Sequence, residues 1–584
     1  MRSVEGRNGW GPSGGQAGRV VALYRTRAAD LRSHADRVAD ALATDRSGAA
    51  AEGTLPSRDE IDAAAAAIVE ATDPEWGGVR SRMKFPMVPV WDFALHRYRA
   101  TGDLACAGAV RRTLDAMATG GIRDHVGGGF HRYSTDRAWL IPHFEKMLCD
   151  NALLARLYVE ASVALREPAF AEVARDTLDF VLRDLAGPDG TLFAGIDADS
   201  PGPDGASREG ACYLWRVGEV RDAVGRGEGD ALEWLLGVTP DGNVDGASVL
   251  TRRTPPAEAS ARFGIPPDRA ATLFVRHRAA LAAARACRPA PATDRKQVTS
   301  WAGLAIAALA EAGLVLGASR YLDAASRAAD RVWAANRFAD SRLARVSYEG
   351  RPAAPGTLDD HAHLAYGLLW LHRATGDAVH LDRVFRLIEE VRARFAHRTA
   401  GFNSTADDAV APFPRRAEPA DNALPSGAAV FARVLSFAGV LAGRSDWVAD
   451  ARAALASCAA SAVRQPFGMA SWLDAAALPF RVAVIAGDDG LLAAAFRELD
   501  PPHATVVPAP APASASGPDP ATAASVPVAA GKTAIGGGRT AWVCDPSRCE
   551  PPARSAHDFR AALMRGWVVQ NPEEAPPRAL GPRR

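Results

Sequence analysis

The chain has 584 residues, 48% of them hydrophobic, with 68 Lys+Arg against 68 Asp+Glu. That length and composition support one or more large cores, which excludes a disordered chain or a miniature scaffold. A formal charge of zero removes the basic field that nucleic acid or an anionic membrane surface would need, so neither is an expected partner.

In chain order, the first residues run into Gly-rich sequence without an apolar core, and no export signal is expected. Val20 to Thr44 reads as one helix. From about Arg58 to Val463, apolar residues recur at three- and four-residue spacing, which predicts a mainly helical body. A weak repeat marks its joints near Asp103, Pro168, Tyr321, Asp377 and Trp447, where one helix ends, the chain turns and the next begins. Such hairpins stack into an open solenoid or close into a ring, and the long polar loops between them favour a ring with a central pocket.

Trp301 to Ser319 is the nearest approach to a membrane span. Glu311 interrupts it and its Ala and Gly residues suit close packing, so it reads as a buried helix. Asp184 to Asp294 reads as an insertion with turns and short strands, ACYLWRV among them. After Pro479, FRVAVIAGDD and TAWVC read as strands, and the Pro/Ala/Ser-rich Thr505 to Ala530 as a flexible connection.

Seven scattered cysteines (Cys106, Cys149, Cys212, Cys287, Cys458, Cys544, Cys549) do not form a disulfide framework and predict a reducing, cytoplasmic setting. Cys544 and Cys549 read as two thiols rather than a disulfide or a metal corner. No Cys/His set has zinc spacing, and no metal or cofactor is expected. Only four lysines occur (Lys84, Lys146, Lys296, Lys532) against 64 arginines. They mark places where a compact ammonium fits and a flat guanidinium does not, or they are chance survivors.

Gly120 to Leu154 is the densest polar segment, holding His125, His131, Arg132, Tyr133, Asp136, Trp139, His143, Glu145, Lys146 and Asp150. Pro142 suits the first turn of a helix, which would put His143, Lys146 and Asp150 on one face. Each residue alone reads more readily as a loop pin; the cluster as a whole reads as a ligand pocket. Asp197, Trp301, Asp360, Asp421 and Asn422 lie at further loop-to-helix junctions, where an Asp caps a helix more often than it catalyses.

The stretches DPEWGGVRSRMKFP, HVGGGFHRYSTDRAWLIPHFEKMLCDNALL, DADS, TSWAGL, LDDHAHL, DNALPSG and AWVCDPSRC together resemble the thioredoxin-domain-containing YyaL-like proteins, the family of the mammalian spermatogenesis-associated homologue. The resemblance implies an (α/α)6 toroid similar to six-hairpin glycosidases and N-acylglucosamine 2-epimerases, here over residues 51–479. It also implies short β insertions, a small α/β appendage over 480–584, and only a remnant thioredoxin-like helix in residues 1–50. A separate thioredoxin-like chain is then a candidate partner. The family's Ser-Trp-Asn-Gly reads Ser300, Trp301, Ala302, Gly303 here, which removes an amide from a pocket-facing position.

The expected function is carbohydrate processing. In an epimerase, His131 and His143 would move the proton, Arg132 or Lys146 would steady the enolate, and Trp139 or Trp301 would stack on the sugar. In a hydrolase, a pair among Asp136, Glu145, Asp197 and Asp360 would flank the bond. His125, Tyr133, Asp421 and Asn422 complete the candidate ligand contacts. The alternative is a non-catalytic glycan- or protein-binding scaffold.

Overall fold

The computed structural model describes residues 13–43, 54–202, 204–397, 401–409, 415–477, 480–487, 490–499, 501, 503–509, 527–545 and 548–565. Its helices are α1 (Ser13–Thr26), α2 (Ala28–Ala43), α3 (Arg58–Glu70), α4 (Val88–Thr101), α5 (Leu104–Thr119), α6 (Leu148–Ala164) and α7 (Pro168–Asp184). There follow α8 (Glu219–Val224), α9 (Arg226–Leu235), α10 (Pro256–Phe263), α11 (Pro267–Ala286), α12 (Thr299–Val315), α13 (Ser319–Ala335), α14 (Leu358–Thr375) and α15 (Ala378–Arg394). The last are α16 (Gly427–Ala442), α17 (Ser445–Arg464), α18 (Ala470–Ala477), α19 (Leu491–Leu499) and α20 (Ala556–Leu563).

Two kinds of helix alternate from α3 to α18. In α13 the buried residues are Tyr321, Ala324, Ala325, Ala328, Ala329 and Val332, one stripe of a helix that is otherwise polar. In α12, by contrast, every residue from Ala302 to Gly313 is buried, so this helix has neighbours on all sides. The all-round buried helices α4, α6, α12, α14, α16 and α18 pack side by side, and α18 returns to pack on α4. Each is paired with a striped helix (α3, α5, α7, α13, α15, α17) outside it. The result is a closed (α/α)6 toroid.

Each inner helix from α4 to α16 turns tightly into its outer partner, while α18 is partnered by α3 from the other end of the chain. Gly102 and Gly376 end α4 and α14 at φ 76° and 74°, a backbone state open to glycine, and Asp103 and Asp377 cap the next helix by accepting from Ala105 N–H and Val379 N–H. These are the repeating joints visible in the sequence. The return connections, outer to inner, are long except between α17 and α18, and they gather at the opposite end, where the inner helices begin.

The tightest packing joins α12 to α14. A Cβ on Gly303 would meet His363 O at 2.3 Å, and one on Gly367 would meet Gly303 O at 2.2 Å. Ala302 is buried in this contact.

Several local expectations change. Val20 to Thr44 is not one helix: α1 and α2 meet at Arg27, and Thr44 lies outside the described residues. Between α7 and α12 four helices (α8 to α11) stand among loops, along with short strands of the kind expected there: Gly195–Ile196 and Thr293–Asp294 at the edges and a hairpin of Asp199–Pro201 with Ser207–Glu209. ACYLWRV forms turns, because Trp215 contributes only a single bridge to Ser248. Thr505 belongs to a strand, Ala504–Pro508, while residues 510–526 of the expected flexible stretch lie outside the described residues.

The C-terminal sheet has the order Ala504–Pro508, Arg481–Ala486, Thr540–Cys544, its first pair parallel and its second antiparallel. Its central strand is buried on both faces. Val482 and Val484 join the toroid core, and Ala483 and Ile485 pack under α19 and α20. Cys544 and Cys549 are joined in a disulfide rather than left as thiols, because the chain folds back and places the two residues opposite one another. Among the described residues no helix is long and apolar enough to cross a membrane, and no group of three or more His, Cys, Asp or Glu is placed to hold a metal ion.

Candidate functional site: the charged cavity at the toroid axis

At the end where the inner helices begin, a cavity of about 580 Å³, open mouth included, sinks into the axis. All six inner helices contribute to its wall, chiefly from their first two turns: Asp92 from α4, Arg156 from α6, Leu304 from α12, Tyr366 from α14, Arg433 from α16 and Asp474 from α18. Apolar walls with a few convergent polar groups are the usual make-up of a small-molecule site.

Beneath these residues lies a buried charge network. His96 Nδ1 is 2.7 Å from Asp474 Oδ1 and its Nε2 is 2.7 Å from Glu160 Oε2. Arg156 donates to Glu160, lies 2.7 Å from Glu311 and reaches Asp92 at 3.5 Å. Arg433 donates to Asp474 Oδ2 at 2.9 Å. Tyr366 and Trp370 stack at 4.3 Å, and both guanidinium groups lie within 6 Å of the two rings.

These surroundings drive the two cavity carboxylates apart. Burial raises the Asp92 carboxyl, with Glu160 adding to the effect and Arg156 opposing it, to about 7. Burial would raise Asp474 too, but His96 and Arg433 outweigh it and hold Asp474 below its ordinary value. Burial would lower His96, yet Asp474 and Glu160 raise it to about 9, so His96 is a cation at neutral pH. Asp92 Oδ1 is buried and accepts no hydrogen bond.

None of the residues singled out from sequence lines this cavity; Asp421 comes nearest, accepting from the Ser471 N–H at 2.9 Å, and Ser471 is part of the wall. Asn422 is exposed and accepts from Leu424 N–H. Asp360 is buried, accepts from the Thr357 N–H and hydroxyl, and also receives Ser300 N–H, so it caps α14 and ties α12 to it. Trp301 is half-buried against the core, and Asp197 is exposed. Ala302 is buried and is not a wall residue of the cavity.

The 120–147 loop divides into a buried part and a rim. His125 donates its Nε2–H to Gly120 O and stays neutral, held well below its ordinary value by burial and by Arg123 and Arg252. His131 contacts Phe144 O at 2.8 Å and packs edge-on against Phe144 and Tyr213; burial and Lys146 push it down to about 3. Asp136 accepts from the N–H groups of Ala138, Leu140 and Ile141, which pins the loop. Trp139 is fully buried and donates to Trp76 O. Nearer the mouth, Arg132 donates to Glu145 and His143 stacks on Tyr133.

Pro142 and His143 are not in a helix. They pair with Tyr133–Ser134 as a short antiparallel ribbon, and Lys146–Met147 is a strand ending just before α6. Lys146 therefore points away from His143 into the loop, where its Nζ donates to Asp124 Oδ2 at 2.7 Å and Gly128 O at 2.9 Å and sits 4.4 Å over the Phe180 ring.

Lys84 is its counterpart, donating to Asp73 and Gly77 O beside Trp139. Two of the four lysines thus fill closed sockets suited to a point charge. Lys146→Arg is expected to lower stability by about 2 kcal/mol through overpacking alone, read as a fall in the urea midpoint. Lys296→Arg, at a partly exposed pair with Asp294, serves as the control and should leave the midpoint unchanged.

The ring of paired helices and its axial charged cavity define the class: a closed (α/α)6 toroid with a polar site at the inner-helix N-terminal end. No protein-family model matches the chain. It is 35% identical to human spermatogenesis-associated protein 20 over 416 residues, 65% of this chain and 53% of that one. A Caenorhabditis elegans protein, uncharacterized protein B0495.5, is 29% identical over 375 residues, 58% of this chain and 50% of that one.

The chain is thus similar to spermatogenesis-associated protein 20 and spans about half the length of the curated relatives it matches. Among solved structures, an unsaturated glucuronyl hydrolase from Bacillus sp. GL1 is similar at TM-score 0.41 and 12% identity, covering 72% of this chain and 94% of its own. A sugar epimerase from a ruminal bacterium is similar at TM-score 0.30 and 12% identity, covering 61% and 92%. The toroid assignment rests on the chain's own helix order, not on these distant likenesses.

Proposed function

We propose that the axial cavity binds a saccharide and cleaves a glycosidic bond, with Asp92 as proton donor and ionised Asp474 as its partner carboxylate. The observation that carries this reading is the opposite displacement of two carboxyl groups in one cavity, which sorts them into acid and base. An acid near 7 is protonated often enough at neutral pH to protonate a leaving oxygen. Histidine-based epimerisation has less support, because His131 is buried behind the loop and His143 belongs to the rim.

The test is proton NMR of the protein with a panel of di- and oligosaccharides in deuterated water. New reducing-end anomeric signals are expected, lost by a factor on the order of 10²–10⁴ in Asp92→Asn. The wild-type rate should fall about tenfold per pH unit above 7, as Asp92 gives up its proton, and should hold down to below the ordinary aspartate range, where Asp474 remains ionised. Cleavage that Asp92→Asn leaves intact would overturn the reading. Deuterium entering the carbon beside a sugar carbonyl would replace it with proton exchange.

A further inference from the structure

Phe85, Tyr133 and His143, on the segments that lead into α4 and α6, form a continuous stack of three rings. The Phe85 and Tyr133 centroids are 4.6 Å apart with the planes inclined by 27°, and those of Tyr133 and His143 are 5.0 Å apart at 24°. The inner end is locked, since His143 Nδ1 lies 2.6 Å from Glu209 Oε1 and its Nε2 lies 3.6 Å from Glu145 Oε2. Backbone pairing holds the stack in place: Tyr133 lies opposite His143, and Lys84 bridges to Ser134.

The outer end is open. Phe85 is 41% exposed and the neighbouring Met83 is 51% exposed. Burying such side chains is worth roughly 1.5–3 kcal/mol each, and here that gain is largely forgone on a rigid, well-paired loop. A ring fixed from behind by two others and bare in front is preorganised for stacking.

The stack and the cavity share one end of the toroid: Phe85 lies three residues before α4, whose Pro89 and Asp92 line the wall, and Tyr133 and His143 lie on the loop that leads into α6, whose Ala152 and Leu153 do the same. Polar groups border it: Arg132 is paired with Glu145 at 3.0 Å, and Asp150 keeps a buried, unpartnered Oδ2. The Arg132–Glu145 pair beside the stack is charge-balanced, which suits a ligand that is polar without being charged.

The geometry points to Phe85 as the platform of an outer saccharide subsite, taking a neutral pyranose residue with its apolar face on the ring and its hydroxyls toward the Arg132–Glu145 pair. The ligand of the whole site is then a di- or oligosaccharide with one residue in the cavity and the next on Phe85. This inference builds on the cavity's reading as a saccharide site.

The test is calorimetric titration of the Asp92→Asn protein, with and without Phe85→Ala, using mono-, di- and tetrasaccharides of neutral hexoses, alongside cleavage assays of the Asp92-bearing proteins. Phe85 is exposed, so its loss leaves the fold intact. Tetrasaccharide affinity is expected to fall tenfold or more in Phe85→Ala while monosaccharide affinity holds. Equal affinities for mono- and tetrasaccharide, both indifferent to Phe85→Ala, would overturn the platform even if cleavage still required Asp92. Tetrasaccharide binding that depends on Phe85, with cleavage absent or independent of Asp92, would uphold the platform and overturn the catalytic reading. No saccharide binding at all would overturn both.

Discussion

His96→Ala is expected to destabilise the fold by on the order of 3–5 kcal/mol at pH 6, because it strands Glu160 and Asp474 in the protein interior without their shared cation. His96 is 1% exposed and contacts both carboxylates at 2.7 Å. The pH dependence carries a definite sign. The folded value is raised to about 9 from the ordinary 6.5, so the stabilisation is fully present below pH 6.5 and is lost as pH rises through 9. A displacement of that size corresponds to about 3 kcal/mol. Urea denaturation of wild type and variant at pH 6 and pH 9.5 should therefore show a gap that narrows at the higher pH; a gap that widens would mean that His96 is neutral in the folded protein.

Gly303→Ala is expected to cost on the order of 3 kcal/mol or more, a large effect for one methyl group. Most added methyl groups can be absorbed by a side chain that swings aside. Here the new Cβ would meet His363 O, His363 C and Leu364 N at 2.3–2.6 Å, all of them backbone, so α12 and α14 would have to separate. Gly367→Ala presses on the same contact from the other helix, through Gly303 O at 2.2 Å. The two substitutions share one strain and should be markedly non-additive: once the helices have moved apart, the second methyl costs little. Thermal unfolding of both single variants and the double variant reads this directly, and full additivity would mean that the helices do not move as units.

The architecture was legible in the sequence where it depends on local pattern. The joints at Asp103 and Asp377 are visible because a Gly-Asp pair ends one helix and caps the next, and α12 because a run of small apolar residues broken only by Glu311 needs neighbours on every side. Short-range readings failed where tertiary pairing overrode propensity. Pro142 suits a helix start, but its neighbour His143 was recruited by Tyr133 into a ribbon, and Cys549 was carried back to Cys544 by a turn that spacing alone does not reveal.

The cavity itself was missed for a different reason. The dense polar segment Gly120 to Leu154 drew attention by its composition, whereas Asp92 and His96 on α4, Arg156 and Glu160 on α6, Arg433 on α16 and Asp474 on α18 are spread by ones and twos over separate helices. A usable signal was present: an ionisable residue in an otherwise buried helix is costly unless partnered, so each isolated charge implies another facing it. Glu311 was noticed only as an interruption of a hydrophobic run, yet it is the counter-ion of Arg156.

The meeting of α18 with α4 has a consequence for how the protein comes into being. His96 and Asp474 are 378 positions apart in the chain and touch only because the last inner helix returns to the first. An open stack of hairpins can be shortened by a repeat and still function; this one cannot, since removing any hairpin parts the two residues that hold the site's charge balance. During synthesis the cavity has no floor until the α18 segment has emerged, so binding competence arrives in one late step, and the protonation of His96 reports whether the circle is complete.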